Sequence, residues 1–263
     1  MKKKWLVGLF AAGILFGVAK SGAQGLVWQT VLKGEQLGSQ QMTTAYIPGM
    51  VLISNMNAEG DATIFRLDRK MLYFIKHSGK KYNAYTFEEF DAEMSRMRSL
   101  IDGQMSKAMK ELENLPAEQR AMIEKQLGPL MPKREEGPVT VDRKGDQKSI
   151  AGYSAVRFVA TQNGEPMLTA WTTTAVPGWK GMRKEFAIYL EKMSGINQLS
   201  KSILAAVEQI DGFPLEMEMA GFTSTVTKVE AKATPASAFE IPAGYTLEKK
   251  KLFDGEMKQE REE

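Results

Sequence analysis

The chain has no cysteine and only one histidine in 263 residues. Without thiols there is no disulfide staple, no Cys–zinc site, no thiol nucleophile and no lipidated N-terminal cysteine. A Ser–His–Asp arrangement has one candidate base, His77, and a histidine metal site has no second ligand. His77 falls at the end of an expected strand beside Ser78-Gly79, the setting of a surface turn. Long apolar runs are also scarce. Beyond the N-terminal segment none approaches the roughly 20 residues that cross a bilayer, so the mature form is not expected to span a membrane. There is no Gly-rich phosphate loop and no Gly-x-Ser-x-Gly elbow. Paired carboxylates occur at Glu88-Glu89, Glu135-Glu136 and Glu216/Glu218, but glycoside hydrolysis needs two of them across a cleft. Glu216 and Glu218 are expected on the outer, solvated face of an alternating strand. No catalytic residue, metal or cofactor is expected, and the chain does not read as an enzyme.

What is present begins with an address. Lys2-Lys-Lys4 precedes about fifteen mostly apolar residues, Trp5–Ala19, and Ser21-Gly22-Ala23 closes the segment with small residues. This is the tripartite pattern of a secretory signal. Residues 1–23 are therefore expected to be a cleaved signal peptide, with a bacterial periplasmic or secreted destination. The formal charge of +3 then loses its meaning for the mature chain. Removing Lys2, Lys3, Lys4 and Lys20 leaves 31 basic against 32 acidic residues, and nothing supports nucleic-acid binding.

Residues 26–86 read as an antiparallel meander. Runs rich in β-branched and aromatic residues alternate with turns at Pro48-Gly49, Asp68-Arg69 and Ser78-Gly79. At Thr86 the period changes. Thr86-Phe-Glu-Glu89 is a capping box, followed by apolar residues at Phe87, Phe90, Met94, Met97, Ile101, Met105, Met109 and Leu112, all on one helix face. Pro116 suits the start of a second helix, ended by Gly128-Pro129, so 87–131 is expected to be a helical hairpin. Lys133–Pro138 reads as a polar loop. Strands resume at Val139. Ile150–Thr161 and Pro166–Thr174 flank Asn163-Gly164, a two-residue hairpin signal. Helical stripes follow Pro177-Gly178: Met182–Met193, broken at Gly195, then Ile196–Ile210. In the last hairpin Phe213, Leu215, Met217 and Met219 are expected on one face. Residues 249–263 read as a charged, solvated tail. The expectation is a single α+β domain over 24–248: a curved, half-barrel-like antiparallel sheet with helical insertions packed on it.

Methionine is the unusual count, at 17. Three readings apply: gap-filling core packing, an adaptable apolar surface, or thioether coordination of Cu(I). Against copper, Met97 and Met105 are eight residues apart and no His or Cys reinforces them.

Gly145-Asp-Gln-Lys-Ser-Ile-Ala-Gly-Tyr153, with Trp171 after it, and Phe239-Glu-Ile-Pro-Ala-Gly-Tyr245 together resemble a bacterial secreted family known as domain of unknown function 4412. The helical Leu115-Pro-Ala-Glu-Gln-Arg120 resembles insertions in such proteins. The resemblance covers about 40–247 and brings no catalytic residues with it. It implies a strand order similar to periplasmic lipoprotein-carrier half-barrels, in which sheet and helices enclose an apolar cavity. The residues of the two signatures themselves read as core and corner structure. The functional expectation is a non-enzymatic binding protein. It would hold a lipid or other apolar ligand between sheet and helix, lined by Met94, Met97, Ile101, Met105, Met109 and Trp171. The alternative is an envelope protein–protein scaffold with a filled core.

Overall fold

The computed structural model describes residues 23–34, 38–55, 60–113, 137–197, 201–219 and 221–248. The signal segment, the second helix expected from Pro116, most of the Lys133–Pro138 loop and the charged tail lie outside the described residues. Six strands come first among the described residues: β1 (Ala23–Gly34), β2 (Gly38–Ile47), β3 (Met50–Asn55), β4 (Ala62–Arg66), β5 (Met71–Lys76) and β6 (Lys81–Thr86). Helix α1 (Phe87–Glu113) follows, then β7 (Val139–Ile150), β8 (Tyr153–Gln162) and β9 (Glu165–Thr173). Helices α2 (Trp179–Asn197) and α3 (Lys201–Gln209) lead to β10 (Phe213–Met219) and β11 (Phe222–Thr234). A short 3₁₀ turn (Ala236–Phe239) and β12 (Thr246–Leu247) complete it.

Among the described residues twelve strands form one open sheet in the order β12-β6-β5-β4-β3-β2-β1-β11-β10-β9-β8-β7. Every pairing is antiparallel except β12 on β6. Strands β1–β6 form one half and β7–β11 the other, with neighbours joined by short turns except between β9 and β10, which α2 and α3 connect. The halves are joined by one non-local seam, β1 against β11, which pairs Ala23 with Thr234 and Gly34 with Phe222. Gly25 is needed at this seam, because a Cβ there would lie 2.4 Å from the Tyr46 carbonyl oxygen of β2.

Alternating residues of the first half are buried on both faces. Leu26, Trp28, Tyr46, Val51, Phe65, Leu72 and Tyr85 join a central cluster with Phe90 and Met94 of α1 and Trp179 and Met182 of α2. Their neighbours Ala45, Ile47, Ala62, Ile64 and Ile75 form a second cluster on the opposite face, closed by Phe239. A third cluster joins Ala160, Leu168 and Ala170 of β8–β9 to Ala206 of α3 and Ile210.

The α1 capping box forms as the sequence predicts. Glu89 accepts from the Thr86 amide at 2.7 Å, and Thr86 Oγ1 accepts from the Glu89 amide at 3.1 Å. Asn163 and Gly164 both adopt positive φ, 54° and 81°, the type I′ geometry that suits a two-residue hairpin. Three expectations are corrected. Ala151-Gly152 is itself a turn with φ of 50° and 82°, so the expected 150–161 strand is split between β7 and β8. Helix α2 continues through Gly195 to Asn197, where α-helical hydrogen bonding outweighs the modest cost of one interior glycine. In β10 a register shift between Pro214 and Glu216 makes Leu215 a bulge. Phe213 and Leu215 enter the central cluster, whereas Met217 and Met219 pack against the third.

Candidate functional site

The bulge in β10 decides what lines the sheet near β9. Past it, Glu216 pairs with Trp171 and shares its face, as do Lys148 and Arg157. Glu216 is therefore not on a solvated outer face. Its carboxylate is one-fifth exposed, accepts from Lys148 Nζ at 2.6 Å and lies 3.5 Å from Thr225 Oγ1. Lys148 Nζ stands 4.3 Å from the Trp171 ring centroid, and the Arg157 guanidinium 5.8 Å from it. Arg157 is paired with Asp146, which sits in the three-residue irregularity of β7 between Arg143 and Gln147. The Gly145–Tyr153 signature thus builds a bulge that aims an acid at Arg157, and then a tight turn. Each cation over Trp171 already has a carboxylate, so the charges of this cluster are matched, and Arg157 Nε is its one buried atom without a partner.

The proposed methionine lining is divided. Met94 is buried beside Phe90, as core packing. Met97 is half-buried. Ile101 and Met109 are exposed, at 39% and 36%, as is Leu100. Met105 is in α1, and its side chain lies outside the described residues. Helix α1 packs on β5, β6 and α2, at the other end of the sheet from Trp171. These residues therefore do not converge on one pocket. A 27-residue helix spans about 40 Å, and along it Phe90, Met94 and Leu112 are buried while Ile101 and Met109 are not.

A cavity of about 550 Å³ lies elsewhere, between α2, α3 and the adjoining ends of β9 and β10. From α2 it is lined by Trp179, Phe186, Ile188 and Leu190, and from α3 and the residue after it by Leu204, Val207 and Ile210. The sheet contributes Ala170, Thr172, Pro214 and Met217. Trp179 is 6% exposed and meets Phe213 and Phe186 edge-on, with centroids 5.3 and 5.6 Å away. Its indole Nε1 is buried and has no hydrogen-bond partner. Two polar members of the wall hold it together. Arg183 donates to the Glu208 and Ile210 carbonyls at 2.9 and 3.2 Å and pairs with Asp211. Thr172 Oγ1 donates to the Asp211 carbonyl at 2.5 Å. Gly212 passes so near that a Cβ would lie 2.8 Å from Thr172 Oγ1.

The rest of α2 anchors this wall to the sheet. Glu185 accepts from the Gly49 amide at 2.8 Å and also bonds the Tyr46 hydroxyl, whose pKa is pushed up to about 12 by burial, with Glu185 adding to it. Lys192 pairs with Asp91 of α1 at 2.5 Å and lies over the Phe87 ring.

His77 does more than cap a turn. Its Nδ1 meets the Tyr245 hydroxyl at 2.5 Å, the two rings are edge-to-face, and its amide lies 3.3 Å from Asp61 Oδ1. The 239–245 signature is therefore a clasp. Phe239 is fully buried, Glu240 reaches Arg66 at 2.5 Å, and Tyr245 docks on His77. Arg66 is only 2% exposed and also holds Asp68 bidentately, at 2.7 and 2.9 Å. These hydrogen bonds hold the Asp68 carboxyl below its usual range.

No helix among the described residues is long and apolar enough to cross a membrane. No curated protein matches the chain. Among solved structures, one described as an uncharacterized conserved protein from Thermus thermophilus aligns at TM-score 0.42 and 8% identity, covering 84% of this chain and 89% of its own. Two crystal forms of PNGF-II align at TM-scores of 0.37 and 0.36, with 10% and 9% identity. They cover 88% and 87% of this chain but 32% of their own length. At these levels the likenesses transfer no activity. The profile of the family described as "Domain of unknown function (DUF4412)" matches residues 55–245, which include both signature segments and well over half of the sequence, and the chain belongs to that family.

Proposed function

We propose that the protein is an exported, non-enzymatic binding protein whose apolar ligand occupies the cavity between α2 and α3. The observation that carries this reading is the cavity itself. Its volume of about 550 Å³ falls within the roughly 300–1,000 Å³ of small-molecule sites, and its walls are mainly aliphatic and aromatic. The strand irregularities in β1/β11, β10/β9, β8/β9 and β7/β8 favour a bent, half-barrel-like sheet, since bulges bend and twist strands. Export rests on the Lys2–Ala23 pattern, and cleavage after Ala23 gives a mature chain starting at Gln24.

The test is titration of the mature protein with the apolar dye N-phenyl-1-naphthylamine, read by its fluorescence. Saturable binding is expected. Ala187→Phe, at an exposed position in the cavity wall, should weaken it at least tenfold. Absence of saturable binding by the wild type would overturn the reading. Export is tested by the intact mass of the chain recovered outside the cytoplasm of a bacterial host; retention of residues 1–23 would refute it.

A second reading, a partner-binding envelope protein, is favoured by the exposed Leu100, Ile101 and Met109 on α1. Replacing these three with polar residues should leave dye binding unchanged if the α2–α3 cavity is the site.

A further inference from the structure

The charged and apolar residues of the cavity wall are not spread evenly along it. Arg183, near the start of α2, reaches the Glu208 and Ile210 carbonyls at the end of α3, at 2.9 and 3.2 Å. The start of one helix therefore lies against the end of the other, and α2 and α3 run antiparallel. Leu190, about two turns further along α2, and Leu204, about one turn before Glu208 in α3, then line the opposite end. Phe186 and Val207 line the stretch between.

Four charged side chains line the cavity. Arg183 is committed to the two carbonyls and to Asp211. Glu191, beside Leu190, already has an interaction of its own. Lys184 and Glu208 remain, and both are exposed. Lys184 follows Arg183 in sequence, and Glu208 is the residue whose carbonyl Arg183 reaches. The two therefore stand at the same end of the cavity, one on each helix. Their charges are opposite, yet among the described residues neither forms an ion pair, with the other or with a third group.

Resting on the cavity as the binding site, we propose that its ligand is a single-chain amphiphile with a zwitterionic head. The tail lies between the helices toward Leu190 and Leu204. The head lies at the other end, its anionic group toward Lys184 and its cationic group toward Glu208. The volume of about 550 Å³ suits one small ligand and not the paired chains of a diacyl lipid. A singly charged head would gain one of these contacts and meet a like charge at the other. An uncharged head would gain neither. Each exposed contact is weak alone, so the preference arises from serving both.

Displacement of N-phenyl-1-naphthylamine by decylphosphocholine, decyl sulfate and decyltrimethylammonium separates these cases, at low ionic strength and below micelle-forming concentrations. Decylphosphocholine should displace the dye at a roughly three- to tenfold lower concentration than either singly charged compound, the size of two exposed charge contacts. Lys184→Glu should make the cation the strongest competitor, and Glu208→Lys the anion. Both reversals together should restore the preference for the zwitterion, which a mere change in packing would not do. The wild-type ranking needs no variant. Equal displacement by all three, or strongest displacement by a singly charged compound, would overturn this inference and leave the cavity reading standing. A ranking that neither single reversal changes would also overturn it. Failure of all three to displace a dye that binds, or failure of the dye to bind, would instead sink the cavity reading.

Discussion

Phe239→Ala tests whether the C-terminal clasp is part of the folded core. Phe239 is 0% exposed and closes a cluster made by Ala45, Ile47, Ala62, Ile64 and Ile75. An aromatic ring buries about 150–200 Å² of side-chain surface, which at about 25 cal/mol/Å² amounts to about 4–5 kcal/mol. Alanine keeps a small part of that, and large-to-small substitutions of this kind cost about 3–5 kcal/mol. The total stability of such a domain is about 5–15 kcal/mol, so roughly a fifth or more of it depends on one residue. The cost has a ceiling, however. Beyond β11 the clasp is a 3₁₀ turn and a two-residue strand, and it can detach without the sheet unfolding. Urea unfolding followed by circular dichroism should show the loss up to that ceiling. Hydrogen exchange at the amides of Thr246 and Glu248, which donate to the Lys80 and Tyr82 carbonyls at 2.9 and 2.7 Å, reads the detachment directly. Protection there should fall about 100-fold or more. A loss below about 1 kcal/mol in urea, together with unchanged exchange at both amides, would refute the idea that Phe239 holds the clasp in the core.

Gly25→Ala should cost about 1–3 kcal/mol in the same urea assay, because its Cβ would fall 2.4 Å from the Tyr46 carbonyl and 2.8 Å from Ile47 Cγ2; a neutral result would mean that β1 does not approach β2 as described. Asp68→Asn should cost about 1–2 kcal/mol at pH 7, allowing for an Asp68 side chain that is one-third exposed. Because Arg66 holds the folded-state pKa of Asp68 below its unfolded value, that stabilisation is complete above about pH 4 and is lost as pH falls through the folded-state pKa. The gap between wild type and variant, measured by urea titration from pH 7 to 3, should therefore shrink below pH 4, and a gap that widens on acidification would contradict the pairing. Thr86→Ala removes one arm of the α1 capping box and should lower stability by about 1 kcal/mol, with increased amide exchange in the first turn of α1; full protection there would argue against the cap.

Much of the fold is legible in the sequence because its signals are local. Thr86 and Glu89 are three residues apart and satisfy each other's amides, so the start of α1 follows from four letters. Asn163-Gly164 needs only two residues able to adopt positive φ. The β4–β6 meander is a series of short alternating runs between turns, and each pairs with its neighbour in the sequence. The errors arise where long-range packing overrides the local pattern. Ala151 adopts φ of 50°, a conformation for which a non-glycine residue gives little warning, so the expected strand runs through a turn. Gly195 reads as a stop, but continued α-helical hydrogen bonding carries α2 past it. The single bulge at Leu215 inverts the facing of everything downstream in β10. Because side chains alternate with period two, one extra residue moves Glu216 from the solvent side to the Trp171 side and Met217 to the other.

The same reasoning explains why the methionine pattern identifies a helix and not a site. Spacings of three and four report which residues share a face, but not how far along the helix that face has something to cover. In α1 the stripe is uniform in sequence from Phe87 to Leu112, yet Phe90, Met94 and Leu112 are buried while Ile101 and Met109 between them are exposed. The cavity, by contrast, is assembled from segments far apart in sequence: α2 from Trp179 to Glu191, the second half of α3, and the facing residues of β9 and of the bulged β10. Trp179 could have been noticed as a tryptophan opening a helix directly after Pro177-Gly178. Nothing local, however, reveals that its ring would be pinned between Phe186 and Phe213 with its N–H unmet, because that depends on Phe213 keeping the orientation that the bulge two residues later does not disturb. A cavity made of two helices and a strand irregularity is a property of the tertiary fold.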